Sequence, residues 1–164
     1  MPKLQECQFL QIKVDGKEIG GTSEEKNYSG WMEGFAPVGL SAFANSDGAY
    51  FDPVELSLIV TKASGSIFEH FLKRGYKNIT ITVVHRGSDR FDQNYESQRT
   101  VYDNCKIYNI SFMKDEGEEG RLFMKLSIIP EGDVEVTFNV PNSKDTALEK
   151  IGPVRYSIPE KMLK

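Results

Sequence analysis

Two histidines, a scatter of carboxylates and two cysteines are the side chains of this sequence with catalytic or metal-binding chemistry. His70 lies in the stretch TKASGSIFEHFLKRGYKN, four residues after Ser66 and one after Glu69. Neither spacing builds a proton relay. A helical His-x-x-x-His or Glu-x-x-His pair would signal a metal, and neither is present. His85 adjoins Arg86, which would disfavour a charged imidazole if the two side chains met. Asp47, Asp52, Asp89, Asp92, Glu116, Glu118 and Glu119 fall in predicted loops. The run Asp115, Glu116, Glu118 and Glu119 lacks the alternating oxygen donors and the glycine of a calcium loop. The glycines of GKEIGG (Gly16 to Gly21) match neither a dinucleotide fingerprint nor a Walker A loop. Ser64, Ser66 and Ser88 have no nucleophile-elbow context. The expectation is a protein that is not an enzyme, with no cofactor and no metal.

The elements that must position these residues are mostly strands. Period-two alternation marks a strand with one buried face. It runs through Leu10, Ile12 and Val14; Val54, Leu56, Leu58 and Val60; and Ile79, Ile81 and Val83. It returns at Leu122, Met124, Leu126 and Ile128, and most cleanly at Val134, Val136, Phe138 and Val140. Trp31 to Leu40 and Arg99 to Met113 are strand-like but mixed, the second long enough to bend or divide. Asp15-Gly16 reads as a hairpin turn, and Glu131-Gly132-Asp133 as a tight turn joining the last two strong strands.

One helix interrupts this pattern, at about 66–74. Ser66 and Glu69 have capping-box spacing, and Ile67/Phe71 and Phe68/Leu72 sit four apart. Lys73 and Arg74 suit the negative end of the dipole, and Gly75 can end the helix. At 1.5 Å per residue it is roughly 12 Å long, too short to be stable unless its apolar face is buried.

Seven or so strands with one helix predict a mainly β fold. The form is a small β-barrel, or a tightly packed two-sheet barrel, with a short flanking helix covering one end. Alternation alone does not separate a barrel from a sandwich. Residues 1–164 read as a single domain, with an extended loop at about 41–53 and a C-terminal tail at about 141–164. Loops of about twelve residues or more are uncommon without a role, which draws attention to Asp15–Gly30, Ser41–Pro53 and Gly87–Gln98.

Composition narrows the function classes. The 164 residues are 39% hydrophobic and 27% charged, the balance of a globular domain. A net charge of −4 argues against a general nucleic-acid binder. There is no run of about 18 apolar residues for membrane insertion. The opening MPKLQECQFLQIKV lacks the roughly 7–15-residue apolar core of a signal peptide, so the expectation is a cytoplasmic protein. Cys7 and Cys105 lie in separate predicted strands without a C-x-x-C pair and read as buried free thiols, a disulfide between them being left open.

Aromatics are the remaining signal. Tyr28, Trp31, Phe35, Phe43, Tyr50 and Phe51 cluster in or beside two long loops. Either the loops fold back and bury them, or Phe43, Tyr50 and Phe51 form a candidate subunit-interface loop, since aromatics are enriched where subunits meet.

In order and spacing the chain resembles the haemolysin-coregulated protein (Hcp) family, the tube subunits of the bacterial type VI secretion system. The residues that carry the likeness are Asp15-Gly16 ending the first strand, Gly30-Trp31, Thr61-Lys62, the helix with Gly75 at its end, and Arg86 closing the next strand. Where family members often carry an acidic residue and Ser-Pro at the helix start, this chain has Ala63-Ser64-Gly65-Ser66, and its C-terminal segment is longer. The resemblance implies a homohexameric ring stacked head to tail, with the 41–53 loop reaching a neighbour. It further implies a contractile sheath, a spike protein at the tube tip and small effector proteins in the lumen as partners. It implies residence in the bacterial cytoplasm before assembly and secretion by the type VI route without a signal peptide. Two rival readings stand beside it: a phage-type tail-tube protein, and a monomeric β-barrel ligand-binding module.

Overall fold

The computed structural model describes residues 8–36, 40–73, 78–88, 94–114, 120–142 and 147–164. The strands are β1 (Gln8–Val14), β2 (Lys17–Ile19), β3 (Met32–Phe35), β4 (Ala42–Asn45), β5 (Gly48–Phe51) and β6 (Val54–Ile59). After the helix α1 (Ser64–Leu72) come β7 (Ile79–Ser88), β8 (Asn94–Lys114), β9 (Leu122–Pro130), β10 (Asp133–Pro141), β11 (Leu148–Ser157) and β12 (Met162–Leu163).

Pairings run β7–β1–β3–β6–β9 and return through β9–β8 and β8–β7, closing a six-stranded barrel. The alternating residues point inward, as their period requires. Leu10, Ile12, Leu56, Leu58, Ile81, Val83, Met124, Leu126 and Ile128 share one buried core. The Asp15-Gly16 turn forms as expected, between Val14 and Lys17, with φ of 52° and 81° at its two residues.

β8 is one bent strand, and its two halves have different partners on the same edge. Residues 105–114 pair with β9, and residues 98–102 pair with β10. Both pairings are antiparallel, so β9 and β10 run end to end in one direction. The stretch around Gly132 is therefore a corner, and the expected tight reversal does not occur. Glu131 and Gly132 donate their N–H groups to Asn104 and Asp103 carbonyls at 3.2 and 3.1 Å, carrying the ladder round the bend. Gly132 serves close approach, since a Cβ there would sit 2.9 Å from the Asp103 carbonyl oxygen. Asn104, at φ 50°, bends β8 opposite it.

The helix begins earlier than expected. Its N-cap is Ala63, and no side chain caps it. Ser64 Oγ accepts from the Thr61 N–H at 2.8 Å and Thr61 Oγ1 from the Ala63 N–H at 3.2 Å, so a tight turn precedes the helix. Ser66 lies within the helix and no capping box forms; Glu69 pairs with Lys73 at 2.7 Å. The proposed stop at Arg74 and Gly75 lies outside the described residues. Ile67 enters the barrel core and Phe71 packs on it, while Phe68 and Leu72 are exposed.

Three segments read as connections or tail contain strands. Asp15–Gly30 holds β2, Ser41–Pro53 holds the β4–β5 hairpin, and the C-terminal segment holds β11 and β12. β11 extends the sheet outward from β10, and β12 pairs only with Tyr156 and Ser157 of β11. Cys105 is a buried free thiol whose pKa burial pushes up, whereas Cys7 lies outside the described residues.

Candidate assembly surfaces

The hairpin β4–β5 forms its own two-stranded sheet, apart from the barrel sheet. Phe43 and Tyr50 are direct cross-strand partners, their rings stacked with centroids 5.5 Å apart. They are 55% and 37% exposed, so the pair forms a wet aromatic face. Phe51, next in β5, points to the opposite side as strand alternation demands. It packs against the barrel core and lies 6.0 Å from the Tyr156 ring. Of the three residues singled out in this loop, two thus share an exposed face and the third anchors the hairpin.

The other aromatics of the cluster are buried. Tyr28, Trp31 and Phe35 keep less than a tenth of their surface exposed. The segment 20–31 crosses the outer face of β1 and β7 as a strap. Gly21 and Ser23 donate backbone hydrogen bonds to Gly30 and Trp31 carbonyls, at 2.7 and 3.1 Å. Tyr28 stacks on Phe9 at 4.6 Å, with its hydroxyl donating to Glu96. Arg99 pairs with Glu96 at 2.6 Å and lies over the Trp31 ring, while Arg86 lies over Phe9 and pairs with Glu25.

Charge states in this cluster follow from its geometry. Burial and the hydrogen bond to Glu96 push the Tyr28 hydroxyl up to about 12. Burial works against the Glu96 carboxylate, but hydrogen bonds from Arg99 and Tyr28 outweigh it and hold its pKa below the usual value. The cluster is a structural lock, with the Glu96 carboxylate committed to both Tyr28 and Arg99.

A second ionic cluster sits where β8, β10 and β11 adjoin. Arg155 reaches Asp133 at 2.7 Å, Glu135 at 3.3 Å and Asp103 at 3.5 Å, with Lys164 3.7 Å from Asp133. The Arg155 hydrogen bond holds Asp133 below the usual carboxylate range. Burial, by contrast, raises Asp103 despite the same arginine.

His70 lies in the last turn of α1, and His85 lies in β7. His85 Nε2 lies 3.1 Å from the Ala36 carbonyl oxygen, while Arg86 projects the other way to Glu25. Among the described residues, no group of three or more His, Cys, Asp or Glu side chains is placed to hold a metal ion. Among the described residues, no helix is long and apolar enough to cross a membrane.

What the surface does offer is apolar area and strand edge. Among the described residues, the β8 ladder from 107 to 114 has a strand partner on one side only, and β11 from 148 to 154 likewise. Tyr108, Phe112 and Met113 are exposed on the first, with Phe112 edge-on to Phe68 of α1 at 5.4 Å. Leu148, Ile151 and Val154 are exposed on the second. The barrel itself is closed, and these edges belong to the strands that overrun or extend it. The signal at β11 was the alternation Val154, Tyr156, Ile158, hidden behind Gly152-Pro153.

No family model matches the chain, and no curated protein matches it. Solved structures do. The chain superposes on a type six secretion system protein with TM-score 0.73 and 15% identity, over 96% of this chain and 99% of that one. Hcp1 from Salmonella typhimurium matches with TM-score 0.66 and 12% identity over the same shares. Hcp3 from Pseudomonas aeruginosa matches with TM-score 0.62 and 8% identity, over 88% and 96%. Many of the structural neighbours are Hcp proteins, and the fold of this chain is theirs almost from end to end.

Proposed function

We propose that this chain, with the fold of the Hcp proteins, is a structural subunit of a type VI secretion inner tube rather than an enzyme. The observation that carries the reading is the end-to-end match, 96% of this chain on 99% of a type six secretion system protein with TM-score 0.73. The exposed aromatic face and the two strand edges support it.

In this reading six copies form a ring, and rings stack head to tail. A ring uses heterologous contacts, one patch of a subunit meeting a different patch of the next. The Phe43–Tyr50 face is then one side of such a contact. Each contact must bury upwards of about 1,000 Å² for the ring to persist in solution. Effectors in the lumen, a sheath around the tube and a spike at its tip are the partners of this role. Export through the tube's own machinery needs no signal peptide.

Light scattering coupled to size exclusion tests the reading. The expected species has about six times the 18.5 kDa of one chain. A monomer that persists at high concentration would overturn it.

A further inference from the structure

We propose that Tyr156 is a positioning residue that latches the β4–β5 hairpin, fixing the direction in which Phe43 and Tyr50 are presented; the use made of that face rests on the assembly reading above. The hairpin cannot hold itself. An isolated two-stranded hairpin is marginal in water, and every residue of β4 is exposed. Its base is tied by the Asp52 N–H to the Ser41 carbonyl at 2.9 Å, by a hydrogen bond from the Ser41 hydroxyl to the Asp52 carboxylate, and by Leu40 and Phe51 on the core. Those contacts leave the tip free to swing.

The tip is tied by Tyr156. Its hydroxyl accepts the Ala49 N–H at 2.9 Å, across 107 residues of chain. That N–H points away from β4, so it is the outer-edge donor of β5 and would otherwise go to water or to another strand. Gly48 closes the contact. A Cβ there would lie 2.7 Å from the Tyr156 hydroxyl and 3.4 Å from Lys161 Cβ, and Gly48 has φ 133°. Tyr156 is itself held firmly, because it pairs with Val134 of β10 on one side and Leu163 of β12 on the other. Its neighbour Ser157 is likewise paired on both sides, with Asp133 and Met162, whereas residues 148–154 of β11 pair on one side among the described residues. The latch stands at the best-supported point of the C-terminal strand.

A docked hairpin matters because only the docked fraction can bind. The apparent affinity of a contact falls by the fraction of molecules in the competent arrangement. A hydrogen bond with a net value near that of other protein hydrogen bonds changes the ratio of docked to undocked molecules by about fivefold, and the docked fraction by up to that factor.

Tyr156→Phe removes the acceptor and keeps the ring. Three readouts are needed: amide exchange along β4–β5, self-association by light scattering on dilution, and the thermal midpoint. The latch predicts that the Ala49 amide exchanges about fivefold faster and that association weakens by up to about fivefold, with the thermal midpoint little changed. Gly48→Ala, which crowds the hydroxyl off Ala49 while leaving Tyr156 in place, should act in the same direction. Unchanged exchange at Ala49 and unchanged association in both variants would overturn the latch, as would a lowered thermal midpoint with exchange raised evenly over the chain. If the wild type never associates, the assembly reading fails, and exchange at Ala49 still decides whether Tyr156 holds the hairpin.

Discussion

The Tyr28 hydroxyl lies 2.6 Å from Glu96 Oε1, and this hydrogen bond joins the strap 20–31 to β8 across 68 residues of chain. The phenol must stay protonated to donate it, and the carboxylate must stay ionised to accept it at full strength. Both limits can be read as stability against pH.

On the alkaline side, an unfolded tyrosine ionises near 10, whereas Tyr28 in the fold ionises at about 12. Its contribution is complete below pH 10 and is lost as pH rises through about 12. Tyr102, raised in the same direction by burial, adds to this loss. Urea midpoints measured across that range should fall with pH. Tyr28→Phe should lower stability by about 1 kcal/mol at neutral pH and flatten part of the alkaline slope. A slope identical to that of the wild type would contradict the assignment.

On the acid side, Glu96 has a lowered pKa, so its contribution is present above the unfolded value and lost as pH falls through the folded one. The window lies below about pH 4. Glu96→Gln should remove that part of the acid limb and also shrink the alkaline limb of Tyr28, leaving the part that burial of the phenol supplies.

Asp133 and Asp103 share Arg155 but should respond in opposite senses. Asp133 is lowered and so stabilises the fold at neutral pH; Asp103, raised by burial, favours the fold only when protonated. Asp133→Asn should therefore destabilise at pH 7. Asp103→Asn should be neutral or mildly stabilising there. Paired denaturation curves at pH 7 decide this, and equal losses in both variants would contradict it.

The two sides of the hairpin predict a separation of assembly from stability. Tyr50→Asp places a charge on the exposed aromatic face and should weaken self-association while the thermal midpoint stays near that of the wild type. Phe51→Ala removes a side chain packed on the core and should cost about 2 kcal/mol of stability, less than a fully buried phenylalanine. Light scattering and melting of the two variants side by side provide the check.

Gly34 of β3 faces β6 with no room for a side chain. A Cβ there would lie 2.2 Å from the Ser57 carbonyl oxygen and 3.0 Å from Leu58 Cα. Gly34→Ala must push two barrel strands apart, so a loss of about 3 kcal/mol is expected in denaturant unfolding.

Much of this barrel was legible because alternation is a direct image of burial. β1, β6, β7, β9 and β10 all announced themselves this way. The strands that escaped are those for which burial does not alternate. β4 is exposed throughout, and most of β11 is exposed as well, with Gly152-Pro153 reading as a break inside it. The Glu131-Gly132 corner looked like a reversal because glycine serves both turns and close approach, and only the register of β8 separates the two. Ser64 rather than Ser66 opens the helix because Thr61 makes a local turn that the capping-box spacing outcompeted on paper. The hairpin aromatics could be found by composition. Their partner Tyr156, like Glu96 for Tyr28, is brought near only by the closed fold.

The corner at Asn104 and Gly132 has a mechanical consequence. It makes β8 and the β9–β10 run two long rails bent together, joined by one ladder on both sides of the bend. A thrust along the rails loads the bonds of that ladder in shear, many at once. A sideways pull on β12 and then β11 meets their bonds one after another. The subunit should be stiff to pushing along its long strands and weak to peeling from its C-terminal edge.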